Sequence, residues 1–173
     1  MSPKKHLFDL DRLTTPIGTM LVVTDVEGRL RALDWDDHEA RMHRLLRLHY
    51  GEGGFALEDG AAPASLRSAI EAYFSGDLPA IEALSVATAG TEFQREVWAA
   101  LRSIPAGETL SYGALAKKIA RPAAVRAVGA ANGSNPIGVV VPCHRVIGAD
   151  ASLTGYAGGV ERKRWLLTHE GVG

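Results

Sequence analysis

A second segment starts sharply near residue 90, where Thr91 opens a capping box, and no other feature limits the possible folds as much. Before that point, short runs at 7–13, 19–24 and 29–35 are rich in apolar and β-branched residues. Thr15-Pro16-Ile17-Gly18 and Asp25-Val26-Glu27-Gly28 separate them, and such punctuation marks a meander of strands. A helix is expected from about Asp37, with Met42, Leu45, Leu46 and His49 on one face and Gly51 at its end. Residues 51–63, rich in Gly and Ala, read as a loop. A second helix carries Leu66, Ala69, Ile70, Tyr73 and Phe74 in one stripe and stops at Gly76. Residues 77–90 read as a linker.

Beyond residue 90 the period is helical. Thr91-Glu92-Phe93-Gln94 has the form of a capping box, in which Thr91 caps the helix and Gln94 reaches back. That helix buries Phe93, Val97, Trp98 and Leu101 and ends at Ile104-Pro105-Ala106-Gly107. Ser111 suits the cap of a short helix with Tyr112, Leu115, Ala116 and Ile119 inward. Pro122 suits the first turn of a further helix running to about Asn132. Two short helices joined by a tight turn, then extended chain, form the pattern of a helix-turn-helix.

In the second of these helices, Val125, Val128 and Gly129 are spaced to face a core, and Ala123, Arg126, Ala127 and Ala130 lie opposite. A major-groove reader presents several Asn, Gln or Arg side chains to base edges. This face offers one guanidinium among small side chains. It suits close approach to a minor groove by shape, with little sequence readout. An ordinary packed helical pair with a solvated arginine would carry the same pattern.

A chain of 173 residues, 46% of them hydrophobic, suits one globular unit or two small lobes. A net charge of −1 argues at first sight against a nucleic-acid partner. The distribution is uneven. Residues 1–90 hold nine Lys/Arg and fourteen Asp/Glu, whereas residues 91–173 hold ten and six. A phosphate-facing surface therefore belongs in the second half. The single cysteine excludes an internal disulfide and a Cys-rich zinc site. His38, His43 and His49 lie on or near one expected helix and are not read as a metal site. No stretch has the length and apolarity of a membrane span, and MSPKKHLFDL lacks a signal-peptide core, so a cytoplasmic protein is expected.

The run Ile137-Gly138-Val139-Val140-Val141 reads as a buried strand ending at Pro142, followed by Cys143-His144-Arg145-Val146-Ile147. A lone cysteine is commonly a small core hydrophobe. A neighbouring histidine allows another role, because a base supplies the nucleophilic thiolate at neutral pH. Neighbours in an extended strand point to opposite faces. Cys143 and His144 therefore cooperate only if the chain turns here or a water bridges them. Glu170 is the candidate acceptor to orient the histidine. A solvated charge at a helix end is its alternative.

At PCHRVI the chain resembles the methylated-DNA–protein-cysteine methyltransferases, also called O6-alkylguanine-DNA alkyltransferases, in their constitutive bacterial form. The resemblance is densest over 91–171 and runs through FQREVW, SYG, RAVGAANGSNP, VVPCHRVIG, LTGYAGG and RWLLTHEG in that order. It implies an α+β fold: a ribonuclease-H-like N-terminal lobe over 1–85, mainly structural, and a winged-helix DNA-binding and reactive lobe over 90–173. It implies direct repair, in which Cys143 takes an alkyl group irreversibly from O6-alkylguanine, and from O4-alkylthymine, in a flipped nucleotide. His144 would act as base through water, and Glu170 would fix the histidine. Tyr112 would donate to N3 of the departing guanine, and Asn135 would form the hinge between recognition helix and reactive segment. Arg126 would fill the gap in the base stack, with Ala123, Ala127, Ala130 and Tyr112 also against DNA. Val146, Tyr156, Ala157 and Gly158 would line the pocket. The resemblance implies no cofactor and no metal, and a monomer on the minor groove of double-stranded DNA without a membrane partner. The chain departs from the family pattern at Ala149-Asp150-Ala151-Ser152, where a glycine is common, and at Ala157. Three rivals remain at this level: a lesion sensor without chemistry, against which Cys143 argues; a turning-over cysteine hydrolase; and a winged-helix regulator with a structural cysteine.

Overall fold

In the first ninety residues, β1 (His6–Thr15), β2 (Gly18–Thr24) and β3 (Leu30–Trp35) form an antiparallel meander. The computed structural model describes residues 5–153 and 155–172, so Thr154 of the LTGYAGG stretch and Gly173 lie outside it. The chain divides into two units, Met1–Ala89 and Gly90–Gly173.

In the first unit β2 is buried over 20–24, as a central strand with apolar residues on both faces must be. Helix α1 (Glu39–Tyr50) turns Met42, Leu45 and Leu46 inward, and α2 (Ala64–Phe74) does the same with Leu66, Ile70 and Tyr73. Phe8, Leu10, Leu21, Val23, Ala32, Met42 and Leu46 make one apolar cluster. At the β2–β3 turn Gly28 has φ +79°, a region open to glycine without a Cβ penalty. Asp25 closes that turn by accepting from the backbone N–H groups of Glu27 and Arg29.

Two expectations fail here. Residues 51–63 are not a loop throughout, because β4 (Phe55–Asp59) pairs in parallel with β1, giving the order β3-β2-β1-β4. Its signal is only Phe55 and Leu57, which pack against the cluster, and glycines mask it on one side. Nor is 77–90 a bare linker. It holds a 3-10 turn at Leu78–Ile81, and the Leu30 N–H donates to Ser85 O while the Ala87 N–H donates to Leu30 O. The segment thus satisfies the edge of β3.

The second unit begins with α3 (Glu92–Arg102), whose capping box forms in full: Gln94 N–H donates to Thr91 Oγ1 at 3.1 Å, and the Thr91 N–H donates to Gln94 Oε1 at 2.9 Å. Val97, Trp98 and Leu101 are buried, while Phe93 is only half-buried. β5 (Leu110–Ser111) leads into α4 (Tyr112–Lys118), capped by Ser111, whose Oγ accepts from the Ala114 N–H. Ala120, at φ +60°, closes α4 with a bond from the Arg121 N–H to Ala116 O. This is a Schellman-type end made without glycine. Helix α5 (Val125–Gly133) then packs on α3 and α4, and Trp98 Nε1–H donates to Ala131 O at 2.8 Å. β6 (Val146–Ile147) pairs in parallel with β5, and α6 (Val160–His169) completes the unit.

Three details differ from expectation. Pro122 and Ala123 lie in the turn before α5, because the helix starts only at Val125. Val125 is 39% exposed rather than core-facing, since Val128 and Ala131 occupy the inward face. The run 137–141 is buried but is a set of turns, not a strand, for the reason given below.

Thr91→Ala removes one half of the capping box. It should lower the stability of the second unit by about 1 kcal/mol. Urea unfolding followed by tryptophan fluorescence in a Trp35→Phe background, where Trp98 and Trp165 both report on the second unit, checks this, and an unchanged midpoint would contradict it.

Candidate active site

Asn135 decides the path of the chain after α5. Its side chain is buried; Nδ2 donates to Val141 O at 2.8 Å, and Oδ1 accepts from the Ile137 N–H at 3.0 Å. These bonds satisfy backbone groups at both ends of the 137–141 run, which is buried without forming a strand. The backbone closes on itself, with Val141 N–H donating to Ile137 O and Val140 N–H to Gly138 O. Val139, between the last two, has φ +68°. A β-branched residue in this region is strained, typically by about 1–3 kcal/mol.

Pro142 makes the next turn. At φ −82°, ψ 67° it is the centre of an inverse γ-turn, closed by the Cys143 N–H on Val141 O at 2.8 Å. Proline has no N–H to lose there, and its ring holds φ near this value. The Cys143–Arg145 segment is a 3-10 turn. The chain therefore bends at the cysteine, which lifts the objection that neighbours in a strand face apart.

All three side chains of that turn are buried, Cys143 at 7% exposure. His144 Nε2 lies 2.8 Å from Glu170 Oε2. A carboxylate only accepts, so Nε2 carries the hydrogen and Nδ1 is the basic nitrogen. Nδ1 is buried and has no hydrogen-bond partner among the described residues. Burial pushes the His144 pKa below the usual histidine range. Glu170 opposes that fall, and the positive charges of Arg145 and Lys163 add to it. The ring is thus neutral at neutral pH.

Two charged residues at the site were not singled out from the sequence. Arg145 donates from Nε to Glu170 Oε1 at 2.8 Å, from Nη2 to Oε2 at 2.9 Å, and from Nη1 to Ile104 O at 2.6 Å. Lys163 is fully buried on α6, and its Nζ donates to Val146 O at 2.6 Å. Burial lowers its pKa, and the Cys143 sulfur opposes that fall through charge. A signal existed. Lys163, Leu166, Leu167 and Glu170 have the i, i+3, i+4, i+7 spacing of a buried helical stripe, with two charged residues at its ends.

The remaining expected residues fall in four places. Tyr112 opens α4 and is half-buried; a Cβ placed on Gly129 of α5 would lie 3.8 Å from its ring. Arg126, Ala127 and Ala130 are exposed on α5, and Ala123 is exposed in the turn before it. Val146 is buried in β6. Tyr156, Ala157 and Gly158 form the turn into α6, closed by the Gly159 N–H on Tyr156 O, and Gly158 O accepts from Arg162.

Fold and site together define a class: helix-turn-helix modules with a buried free cysteine followed by a histidine bound to a buried carboxylate. A family model described as "6-O-methylguanine DNA methyltransferase, DNA binding domain" matches residues 92–172. The methylated-DNA–protein-cysteine methyltransferase of Salmonella typhimurium is 53% identical over 161 residues, 93% of this chain and 94% of that protein. The protein of that name from Methanosarcina acetivorans is 44% identical, covering 91% and 94%. The chain belongs to the methylated-DNA–protein-cysteine methyltransferase family. Among solved structures, the Mycobacterium tuberculosis O6-methylguanine methyltransferase superposes with a TM-score of 0.76 at 38% identity, covering 94% of this chain and 92% of that one. The complex of M. tuberculosis OGT with DNA gives 0.76 at 39%, covering 95% and 92%.

A buried neutral histidine destabilises the fold in acid. With the folded pKa below the unfolded value of about 6.5, the unfolded chain binds more protons between the two, so stability present above pH 6.5 is lost as pH falls below it. Wild type should lose up to about 1.4 kcal/mol more than His144→Gln for each pH unit below 6.5. Urea unfolding at pH 7.0, 6.0 and 5.5 measures this, and parallel losses in the two proteins would contradict it.

Proposed function

We propose that this protein repairs alkylated DNA by direct reversal, with Cys143 as the acceptor of the alkyl group. The family supports transfer from O6-alkylguanine in DNA to a protein cysteine. The chain holds one cysteine, and it stands beside an imidazole oriented by a buried carboxylate. That juxtaposition carries the residue assignment.

In the reaction, the Cys143 thiol proton passes through one water to His144 Nδ1, whose Nε2–H bond to Glu170 stabilises the imidazolium that results. The sulfur attacks the alkyl carbon, a C–S bond forms, and the C–O6 bond breaks. Guanine leaves with the bonding electrons and takes up a proton, with Tyr112 donating towards N3. The thioether has no step by which the His–Glu pair could release it, so each molecule acts once. Asn135 keeps the turn before Pro142 in the shape that presents the sulfur. Val146, Tyr156, Ala157 and Gly158 are assigned to the pocket. The same chemistry extends to O4-alkylthymine.

The alkyl carbon is out of reach inside a duplex, so the nucleotide must leave the stack, at a cost of a few kcal/mol. Arg126 projects from a helix face that is otherwise small, Ala127 and Ala130, with Ala123 just before it. Such a face fits the narrow minor groove without base readout, and the guanidinium replaces the departed base. The N-terminal lobe expected over 1–85, which falls within the first unit, takes a mainly structural role, and the protein acts as a monomer. A thiol that must remain reduced suits the cytoplasm.

Cys143→Ala should abolish transfer from duplex O6-methylguanine and keep DNA affinity within about twofold of wild type; residual transfer would reject Cys143 as acceptor. Arg126→Ala should slow repair in duplex by at least tenfold, as loss of part of a few-kcal/mol offset implies, and change reaction with free O6-methylguanine little. Equal slowing on both substrates would reject the role in extrusion.

A further inference from the structure

The buried charge cluster contains two members that the transfer scheme does not use, Arg145 and Lys163, and of these Arg145 is the one bound to Glu170. Arg145 reaches both oxygens of Glu170, at 2.8 and 2.9 Å, and spends a third N–H on the Ile104 carbonyl at 2.6 Å. With His144 included, the Glu170 carboxylate accepts three hydrogen bonds, and each oxygen has at least one donor. The guanidinium fork and the imidazole thus hold the carboxylate as an acceptor. The planar fork of a guanidinium supplies this two-point grip, which a lysine cannot reproduce. The Ile104 carbonyl, just beyond α3, fixes the guanidinium from its other side.

We propose that Arg145 is a positioning residue of the transfer reaction, which clamps Glu170 as an acceptor and thereby keeps His144 neutral, with its hydrogen on Nε2 and Nδ1 open to the thiol proton. The charges that act on the ring are Glu170 and Lys163 from α6 and Arg145 from the ring's own turn. If Glu170 stood alone beside the ring, its field would hold a proton on the imidazole before the thiol could give one. The Arg145 charge opposes that field. Proton transfer from thiol to imidazole leaves the net charge of the cluster unchanged, so Arg145 acts through its field on the ring, and charge interactions are strong in a buried site. Arg145 thus lets Glu170 stabilise the imidazolium during reaction without creating it at rest. Burial also keeps the ring neutral, and Arg145 works in the same direction.

The inference rests on the His144–Glu170 relay, and a histidine-labelled protein separates the two. The ring nitrogens of His144 are followed by NMR against pH in wild type, Arg145→Met, Arg145→Lys and Glu170→Gln, with methyl transfer to the protein measured across the same pH range. In Arg145→Met the His144 titration midpoint should rise by at least about one pH unit. The acid limb of the transfer profile should rise with it. Arg145→Lys keeps the charge and loses the fork. Its midpoint should lie closer to wild type than to Arg145→Met, with transfer still slowed at least about fivefold. Glu170→Gln should lower the midpoint. A midpoint that moves in Glu170→Gln and stays fixed in Arg145→Met overturns the inference and leaves the relay standing. Midpoints fixed in both overturn the relay and the inference together. If Arg145→Met does not fold, wild-type transfer rates in Arg145→Lys overturn the fork.

Discussion

A single carboxylate, Glu170, holds the reactive turn together. It stands at the C-terminal end of α6, buried, and its two oxygens bind His144 and Arg145, consecutive residues of the turn that carries Cys143. Removing one partner of such a buried charged set typically costs about 3–5 kcal/mol, because the other charge is left without compensation. The geometry is therefore self-enforcing: the turn is held by the interaction that also orients the imidazole. Seven residues earlier on the same helix face, Lys163 ties the Val146 carbonyl to α6. One helix face thus grips both ends of the segment running from Cys143 into β6.

The turn could not sit there without a second constraint on its other side. Asn135 ends α5 and shapes the buried chain that follows through two side-chain bonds. The strained Val139 and the γ-turn at Pro142 lie between that anchor and the sulfur. Backbone kept in sparsely populated conformations needs surroundings that over-determine it. Here Asn135 on one side and Glu170 on the other provide them.

Much of this was legible in the residues. The capping box at Thr91, the Ser111 cap and the meander over 6–35 each have local chemistry that tertiary packing does not overrule. From the residues alone, Glu170 was a candidate partner for His144 with a solvated helix-end charge as its alternative; the family resemblance decided between them, since 25 residues separate the pair and no spacing rule joins them. β4 was missed because two half-buried apolar residues do not make a pattern, and its parallel partner lies far away in sequence. The run 137–141 was misread because burial on all sides gives the same apolar string to a strand and to a buried turn. The side-chain bonds of Asn135 decide between them. In the turn over 149–152, Ala151 takes φ +65° and closes the turn with its own N–H on Gly148 O, a left-handed conformation that costs a residue with a Cβ about 1 kcal/mol.

The central claim is that a lone buried sulfur, served by a neutral imidazole, accepts one alkyl group and then stops. The most direct test is to mix the protein with excess duplex DNA containing O6-methylguanine and follow intact protein mass together with restored guanine. The account predicts one added methyl per chain, located on Cys143, and guanine restored in equal amount before the reaction ends. Guanine restored beyond the amount of protein, or a methyl group found on any other residue, would contradict it.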